Sequence, residues 1–428
     1  MARDHTSMSR TIMKRVEQHV LFIGSVWPEP ASSAGGSRTV QLMELFIAQG
    51  WKLTFASTAA DSEFMIDFLK WPVSKVSIQL NDSSFDAFIS KLQPSIVVFD
   101  KFMIEEQFGW RVAANCPDAL RILDTIDLHC LRTARHKALK ENRSFKETEV
   151  LKEEMAKREI ASIFRSDCSL IISDMEMKLL ENRFHLRNEI LHYIPFLLPS
   201  LSAEDISNWL PFEQREHFVT IGNFMHEPNW NAVLYLKQEI WPLIRKELPL
   251  AELHVYGSYS SQKVEALHAP KEGFYIKGRA ADAQAVVSKA RVCLAPLRFG
   301  AGIKGKLVEA MQCGTPSVTT AIGAEGMHGT YEWNGFVAND TIGIAKAAVQ
   351  LYSDKNVWLK SQQNGIEIIN SFYAKEKHGD LLIKRIKELE RDLELHRIQN
   401  FTGAMLMHHS MASTKYLSKW IEEKNRKL

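Results

Sequence analysis

The chain has 428 residues, enough for two or three domains of ordinary size, and its 45% hydrophobic and 24% charged content is that of a globular protein with real cores. A net charge of +2, with no block strongly biased to one sign, argues against a protein built to coat nucleic acid and leaves open a weak attraction to an anionic membrane surface. The five cysteines (Cys116, Cys130, Cys168, Cys293 and Cys313) are odd in number and contain no C-x-x-C pair, which argues against a disulfide framework or zinc knuckle and favours a reducing, cytoplasmic setting.

In chain order, Lys14 and Arg15 precede the apolar run Val20–Gly24. That run is short for a signal peptide, follows Glu17-Gln18-His19 and has no small-residue cleavage site behind it, so it reads as a buried strand. No stretch approaches the roughly 20 apolar residues of a membrane span. Gly35 and Gly36 lead into a helix over Thr39–Gln49, where Val40, Leu42, Met43, Phe46 and Ile47 fall at helical spacing and Gly50 supplies the stop. Trp51–Ser57, Val76–Leu80, Ile96–Phe99, Ala119–Leu123 and Leu170–Ser173 read as further strands, with a helix over Asp86–Leu92. Strands alternating with helices imply βαβ units and a parallel sheet. The charged stretch Arg132–Phe164 reads as a solvent-facing helix or helical pair laced with i,i+4 ion pairs.

Pro195, Pro199 and Pro211 break the pattern over Pro195–Glu216, as an interdomain linker would. The grammar then restarts. Phe218–Ile221 is a strand ending in Gly222-Asn223, a helix over Trp230–Leu248 is kinked or divided at Pro242, and Glu252–Tyr256, Phe274–Lys277, Val292–Pro296 and Ser317–Thr319 complete a second doubly wound sheet. Beyond Phe372 the chain is helical and charged through Lys375–Leu395. The tail Ile398–Leu428 carries Met405, Leu406, Met407, Met411, Tyr416, Leu417, Trp420 and Ile421, an amphipathic stripe that can pack on the body, bind a partner or touch a membrane; packing is the commonest fate of such a stripe.

Ligands of open α/β sheets bind at the carboxyl edge of the strands. Three segments fall there. In Ala295–Pro316, Gly300 and Gly302 expose backbone amides ahead of a helix from Ile303 to Gln312, and Arg298, Lys304 and Lys306 surround its start. A helix N-terminus with neighbouring cations suits a diphosphate. Glu309, about one turn on, is placed to accept hydrogen bonds from ribose hydroxyls. Read blandly, Lys306 and Glu309 are an ordinary i,i+3 pair. The second segment is Trp27–Arg38, where Gly35 and Gly36 permit close approach of a ligand or simply make a turn. The third is Leu123–His129, in which Asp127 or His129 could orient or deprotonate a hydroxyl, or an aspartate could cap a helix.

The segment APLRFGAGIKGKLVEAMQCGTPSVTT, with GAEGM at 323–327, resembles the donor-binding region of family 4 retaining glycosyltransferases (glycosyl transferases group 1), and Val219–Asn223, Asn229-Trp230-Asn231, Ile240-Trp241-Pro242 and Val255-Tyr256-Gly257 agree in order. The resemblance implies a GT-B fold: two Rossmann-like doubly wound domains facing each other across a cleft, with C-terminal helices. It implies an N-terminal acceptor domain at 16–212, a nucleotide-sugar donor domain at 213–372, a crossover helix region at 373–395 and an amphipathic helical tail at 396–428. Lys306, Arg298, Asp127 and His129 then stand as catalytic residues. Gly222, Asn223, Arg298, Gly300, Ala301, Gly302, Lys304, Lys306, Glu309, Gly35 and Gly36 line the donor, and Arg38 joins them from the loop before the first helix. The donor is a nucleotide-sugar co-substrate, no cofactor or metal is expected because no D-x-D pair is present, and the acceptor is a glycan, a lipid-linked molecule or a protein.

Two departures matter. Many members carry two glutamates with seven residues between them; Glu309 matches the second, but Ala301 stands at the first. The usual Arg/Lys pair after the first strand of the donor domain is replaced by His226-Glu227-Pro228-Asn229. These keep two rivals in play. An epimerase on the same fold would convert donor without acceptor, and a non-catalytic nucleotide-sugar-binding or scaffold module would bind UDP and transfer nothing.

Overall fold

The computed structural model describes residues 18–426, apart from the side chains of 409–411; Lys14, Arg15, the predicted domain start at residue 16 and the Met411 side chain lie outside the described residues. Two all-parallel sheets dominate. The first runs β3-β2-β1-β4-β5-β6-β7, from β1 (His19–Gly24), β2 (Lys52–Ser57), β3 (Val73–Ser77), β4 (Ile96–Asp100), β5 (Leu120–Asp124), β6 (Cys168–Ile171) and β7 (Leu191–Tyr193). The second runs β10-β9-β8-β11-β12-β13, from β8 (Glu216–Ile221), β9 (Leu253–Tyr256), β10 (Phe274–Gly278), β11 (Ala290–Ala295), β12 (Ser317–Thr319) and β13 (Gly335–Val337). β1, β4 and β11 are buried almost throughout, because helices cover both faces of a parallel sheet and demand continuous apolar runs.

Strand order reverses beside β1 in one sheet and beside β8 in the other, so the crevices open at the ends of β1 and β4, and of β8 and β11. The first helix, Ala34–Ala48, begins five residues earlier than its apolar periodicity indicates, because Ser33 caps it by accepting from Gly36 N at 3.0 Å; Gly50 follows its end at φ +73°. Before Pro242 the helix Glu227–Tyr235 widens into a π-turn over Leu236–Ile240 and resumes as Trp241–Glu247. A proline lacks the N–H and crowds the preceding turn, and the wider turn absorbs both defects.

The second sheet does not close at Ser317–Thr319: β13 adds an edge strand, too short to leave a period-2 signal. β7 escapes for the same reason. The stretch 132–164 is not a purely solvent-facing pair. It forms the helices His129–Lys140 and Glu154–Arg165, and the second buries Ala156, Glu159, Ser162, Ile163 and Arg165.

After the helix Lys355–Phe372 the chain returns to the first lobe. The helix Lys375–Arg391 places Leu382, Ile383, Ile386 and Leu389 in the core built on β1, β2 and β4. The last helix, Phe401–Arg426, lies against the helices Phe102–Asn115 and Glu154–Arg165, where Arg111 donates to Ser418 Oγ at 3.2 Å. Phe401, Met405, Tyr416, Leu417 and Trp420 remain exposed on it. Among the described residues no helix is long and apolar enough to cross a membrane.

Candidate active site

At the end of β8, a Cβ on Gly222 would come within 2.9 Å of Lys306 Nζ and 2.8 Å of Asn229 Nδ2. Only glycine lets that ammonium lie against the strand end. Lys306 belongs to the helix Gly305–Gln312, whose capping residue Lys304 offers no side-chain cap, so no capping side chain satisfies the Gly305 and Lys306 amides. A Cβ on Gly305 would meet Ala34 Cβ at 2.5 Å, so the N-termini of this helix and of Ala34–Ala48 abut across the cleft.

Lys306 and Glu309 are half-buried, and neither makes a hydrogen bond or ion pair through its charged group among the described residues. Burial lowers the Lys306 ammonium to about 8, opposed by Glu309. Burial raises the Glu309 carboxyl to about 7, with Asp282 adding to the shift and Lys306 opposing it. The two are thus not the satisfied i,i+3 pair of an ordinary helix surface.

The other cations behave differently. Lys304 is buried; its ammonium donates to the Gly302 carbonyl at 2.7 Å and sits among Glu325, Arg135, Glu176 and Asp127. Arg298 donates to Asn231 Oδ1 at 2.9 Å and stacks on Tyr235, 4.6 Å from the ring centre, so it belongs to the flank of the helix Glu227–Tyr235 and not to the turn beside Lys306. Of the three cations grouped from the sequence, Lys306 is the one whose charge has no protein partner among the described residues.

The glycine turn is also occupied. Gly302 N donates to Glu176 Oε1 at 2.9 Å, and Arg135 donates to the Gly300 carbonyl at 2.8 Å. The Gly302 amide is therefore not open to a ligand. Gly302 sits at φ +62° with its Cα against Asp127 and Ile126, where a side chain would collide. Ala301 packs against the core of the first lobe, so the position where many relatives hold a glutamate faces apolar neighbours. A carboxylate does reach this turn, from the opposite lobe. Glu176 also accepts from Leu128 N at 2.9 Å, leaves Oε2 unpartnered, and has its pKa raised by burial. Arg135 forms a two-bonded ion pair with Glu325, at 2.7 Å each, that joins the lobes. Arg135 and Glu176 carry no local motif and sequence reasoning missed them, whereas Glu325 lies in the GAEGM segment but was given no role.

Asn223 is a turn-forming residue: its Oδ1 accepts from Met225 N at 2.8 Å and its carbonyl from Asn229 Nδ2 at 2.9 Å. Gly35 and Gly36 lie inside the first helical turn, not ahead of it, and Gly36 is bare because a Cβ would strike the backbone of Glu29. Arg38 does not face the cleft. It is 1% exposed, paired with Asp124 at 2.9 Å and donating to the Ile194 carbonyl at 2.8 Å, so it ties helix to sheet.

Beyond β5, Asp127 N donates to the Thr125 carbonyl at 2.7 Å around Ile126 at φ +61°, a strained γ-turn that thrusts Asp127 toward the cleft. Asp127 is ion-paired with Arg132 and lies 3.3 Å from His129 Nε2. Burial pushes its carboxyl up, but Arg132 and His129 outweigh burial and hold it well below the usual carboxylate range. Such a carboxylate is a weak base and serves to orient, not to deprotonate. His129 N donates to Glu159 at 2.8 Å, and its ring meets Phe102 edge-on at 5.4 Å. His226 stands within the fields of Arg132, Asp127, Lys306 and His129. Around His226 the two sets meet, Lys306 from the second lobe and Asp127, His129 and Arg132 from the first.

Residues 215–354 match the family model described as glycosyl transferases group 1. No curated protein sequence matches the chain. Among solved structures, sucrose-phosphate synthase from Thermosynechococcus elongatus is similar at a TM-score of 0.64 and 18% identity, covering 87% of this chain and 99% of that one. The HepE protein of Anabaena in complex with UDP-glucose is similar at 0.61 and 15%, covering 87% and 100%. A glycosyltransferase from Rickettsia africae is similar at 0.63 and 12%, covering 87% and 99%. The fold is GT-B, and the stretch that matches the group 1 glycosyltransferase model lies within the second lobe.

Proposed function

From a group 1 glycosyltransferase domain set in a GT-B frame, we propose that the chain moves a sugar, a hexose or a relative of one, from a nucleoside diphosphate to an acceptor hydroxyl, with retention and without a bound metal. One observation carries the reading. Lys306 and Glu309, opposite charges without partners among the described residues, stand one helical turn apart on the helix that starts at the β8–β11 reversal, with Lys306 against Gly222. That is the arrangement a diphosphate and an adjoining ribose require. Uridine as the base is supported by the UDP-glucose bound to HepE.

In the reaction the bond between the anomeric carbon and the diphosphate oxygen breaks, and its electron pair leaves with the nucleoside diphosphate. A bond forms from the acceptor oxygen to the same face of that carbon, and the hydroxyl proton passes to the departing diphosphate. Negative charge grows on the leaving oxygen, so fixed cations and amides there lower the barrier most. Lys306 and the first-turn amides of the helix Gly305–Gln312 fill this role, Glu309 holds the ribose, and Asp127 with His129 orients the acceptor side. Contacts that close the lobes, Arg135 with Glu325 and Tyr259 with Glu29, keep water from the donor.

A thermal-shift panel of nucleotide-sugars tests the binding half, since a ligand of the native state raises the melting temperature. Release of nucleoside diphosphate on adding acceptor tests transfer. No stabilisation by any nucleotide-sugar would sink the reading. The occupied Gly302 amide favours a second reading, a binding module that takes UDP and transfers nothing, which the release assay separates from the first.

A further inference from the structure

Past His226 the cleft opens into a cavity of about 270 Å³ whose first-lobe wall is the helix His129–Lys140, presenting Arg132, His136, Lys137 and Lys140. Phe299 of the second lobe closes the other side, stacked flat on His136 with ring centres 4.2 Å apart. At that size it falls below the usual range for a drug-sized ligand and holds a single headgroup. Among the charged lining residues, three fixed cations (Arg132, Lys137, Lys140) face one carboxylate, Glu227. Arg132 is paired with Asp127 and Lys137 with Glu153, while Lys140 has no ion pair among the described residues. Neither Lys306 nor Glu309 lines this cavity, so it is distinct from the pair assigned to the diphosphate and the ribose.

We propose that this cavity receives a phosphate group carried by the acceptor, so that the acceptor is a phosphorylated sugar or a phosphate-linked glycan and not a neutral one. The inference rests on the proposed transfer reaction for the word acceptor, but not for the existence of the site. Lys140, with Arg132 and Lys137 on the same helix, gives this headgroup-sized space a net positive lining that suits a dianion, and Phe299 with His136 gives its sugar a flat apolar wall.

The test is calorimetric titration of the full chain, first saturated with UDP, with glucose 1-phosphate and separately with glucose. The phosphorylated sugar is expected to bind saturably and glucose not to bind. Lys140→Glu should weaken that binding about tenfold, and Lys140→Arg should restore it, with UDP affinity unchanged in both. Equal binding of glucose, displacement of glucose 1-phosphate by UDP, or indifference to Lys140→Glu would each overturn the proposal. If UDP does not bind yet the phosphate does and follows Lys140, the cavity stands and the transferase reading falls. Sedimentation with phosphatidic acid vesicles against phosphatidylcholine vesicles separates sources: retention that depends on Lys140 marks a lipid-borne phosphate, and its absence marks a soluble one.

Discussion

Lys304 and Lys306 are two residues apart at the start of one helix, yet they lead opposite lives. Lys304 turns into the interface between lobes, where the Gly302 carbonyl and nearby Glu325 and Glu176 surround its charge. Lys306 projects beside Gly222 with no partner for its charge among the described residues. A buried cation with partners holds structure in place, whereas a cation left without them in a crevice is available to a ligand. Identity of residue type therefore decides little here; the direction of the side chain relative to the cleft decides function.

The sharpest way to break this contrast is to remove each charge in turn. Lys306→Ala should lower turnover roughly 10²–10³-fold, the scale of one lost charge-stabilising donor, with the fold intact by circular dichroism. An unchanged rate would place the leaving-group contact elsewhere. Arg135→Ala strips the structural side, leaving a mostly buried Glu325 carboxylate unpaired; thermal or urea unfolding should show a loss of roughly 2–3 kcal/mol, with a smaller effect on turnover than Lys306→Ala. Glu309→Ala should weaken UDP binding about tenfold by calorimetry, the value of one or two hydrogen bonds to a charged acceptor.

The pH dependence sharpens the same point. Glu309 is ionised above about 7, and Lys306 is charged below about 8. Hence kcat/KM should rise through about 7 and fall through about 8, and Glu309→Gln should remove the rising limb. The smallest effect is expected from Glu176→Gln, which keeps the oxygen that accepts from Gly302 and Leu128. Its kcat/KM should stay within about threefold of the parent, while Glu176→Ala, which vacates both bonds, should lose more.

How much of this was legible in advance follows from how far apart the partners lie. The alternation of short apolar runs with helices is local, and both parallel sheets follow from it; β7 and β13 were lost because three residues carry no period, while β12, equally short, was marked by the Cys313-Gly314-Thr315-Pro316 turn before it. The glycines, the helix start and the Lys306–Glu309 spacing are local as well. Which lysine would be consumed by the fold is not. Glu176 lies 126 residues from Gly302, and Arg135 lies 190 from Glu325, and no periodicity records such meetings. Arg38 and Asn223 misled for a related reason: charge and amide signalled a ligand, but an aspartate and a turn amide claimed them first.

The chain passes between the lobes at Leu198 and again at Ala374, and the two passages are paired, with Leu198 N donating to the Tyr373 carbonyl at 3.0 Å and Lys375 N to the Leu198 carbonyl at 2.9 Å. Two stitched backbones on one flank behave as a door hung on a single post. Any parting of the halves swings about that post, so travel grows with distance from it.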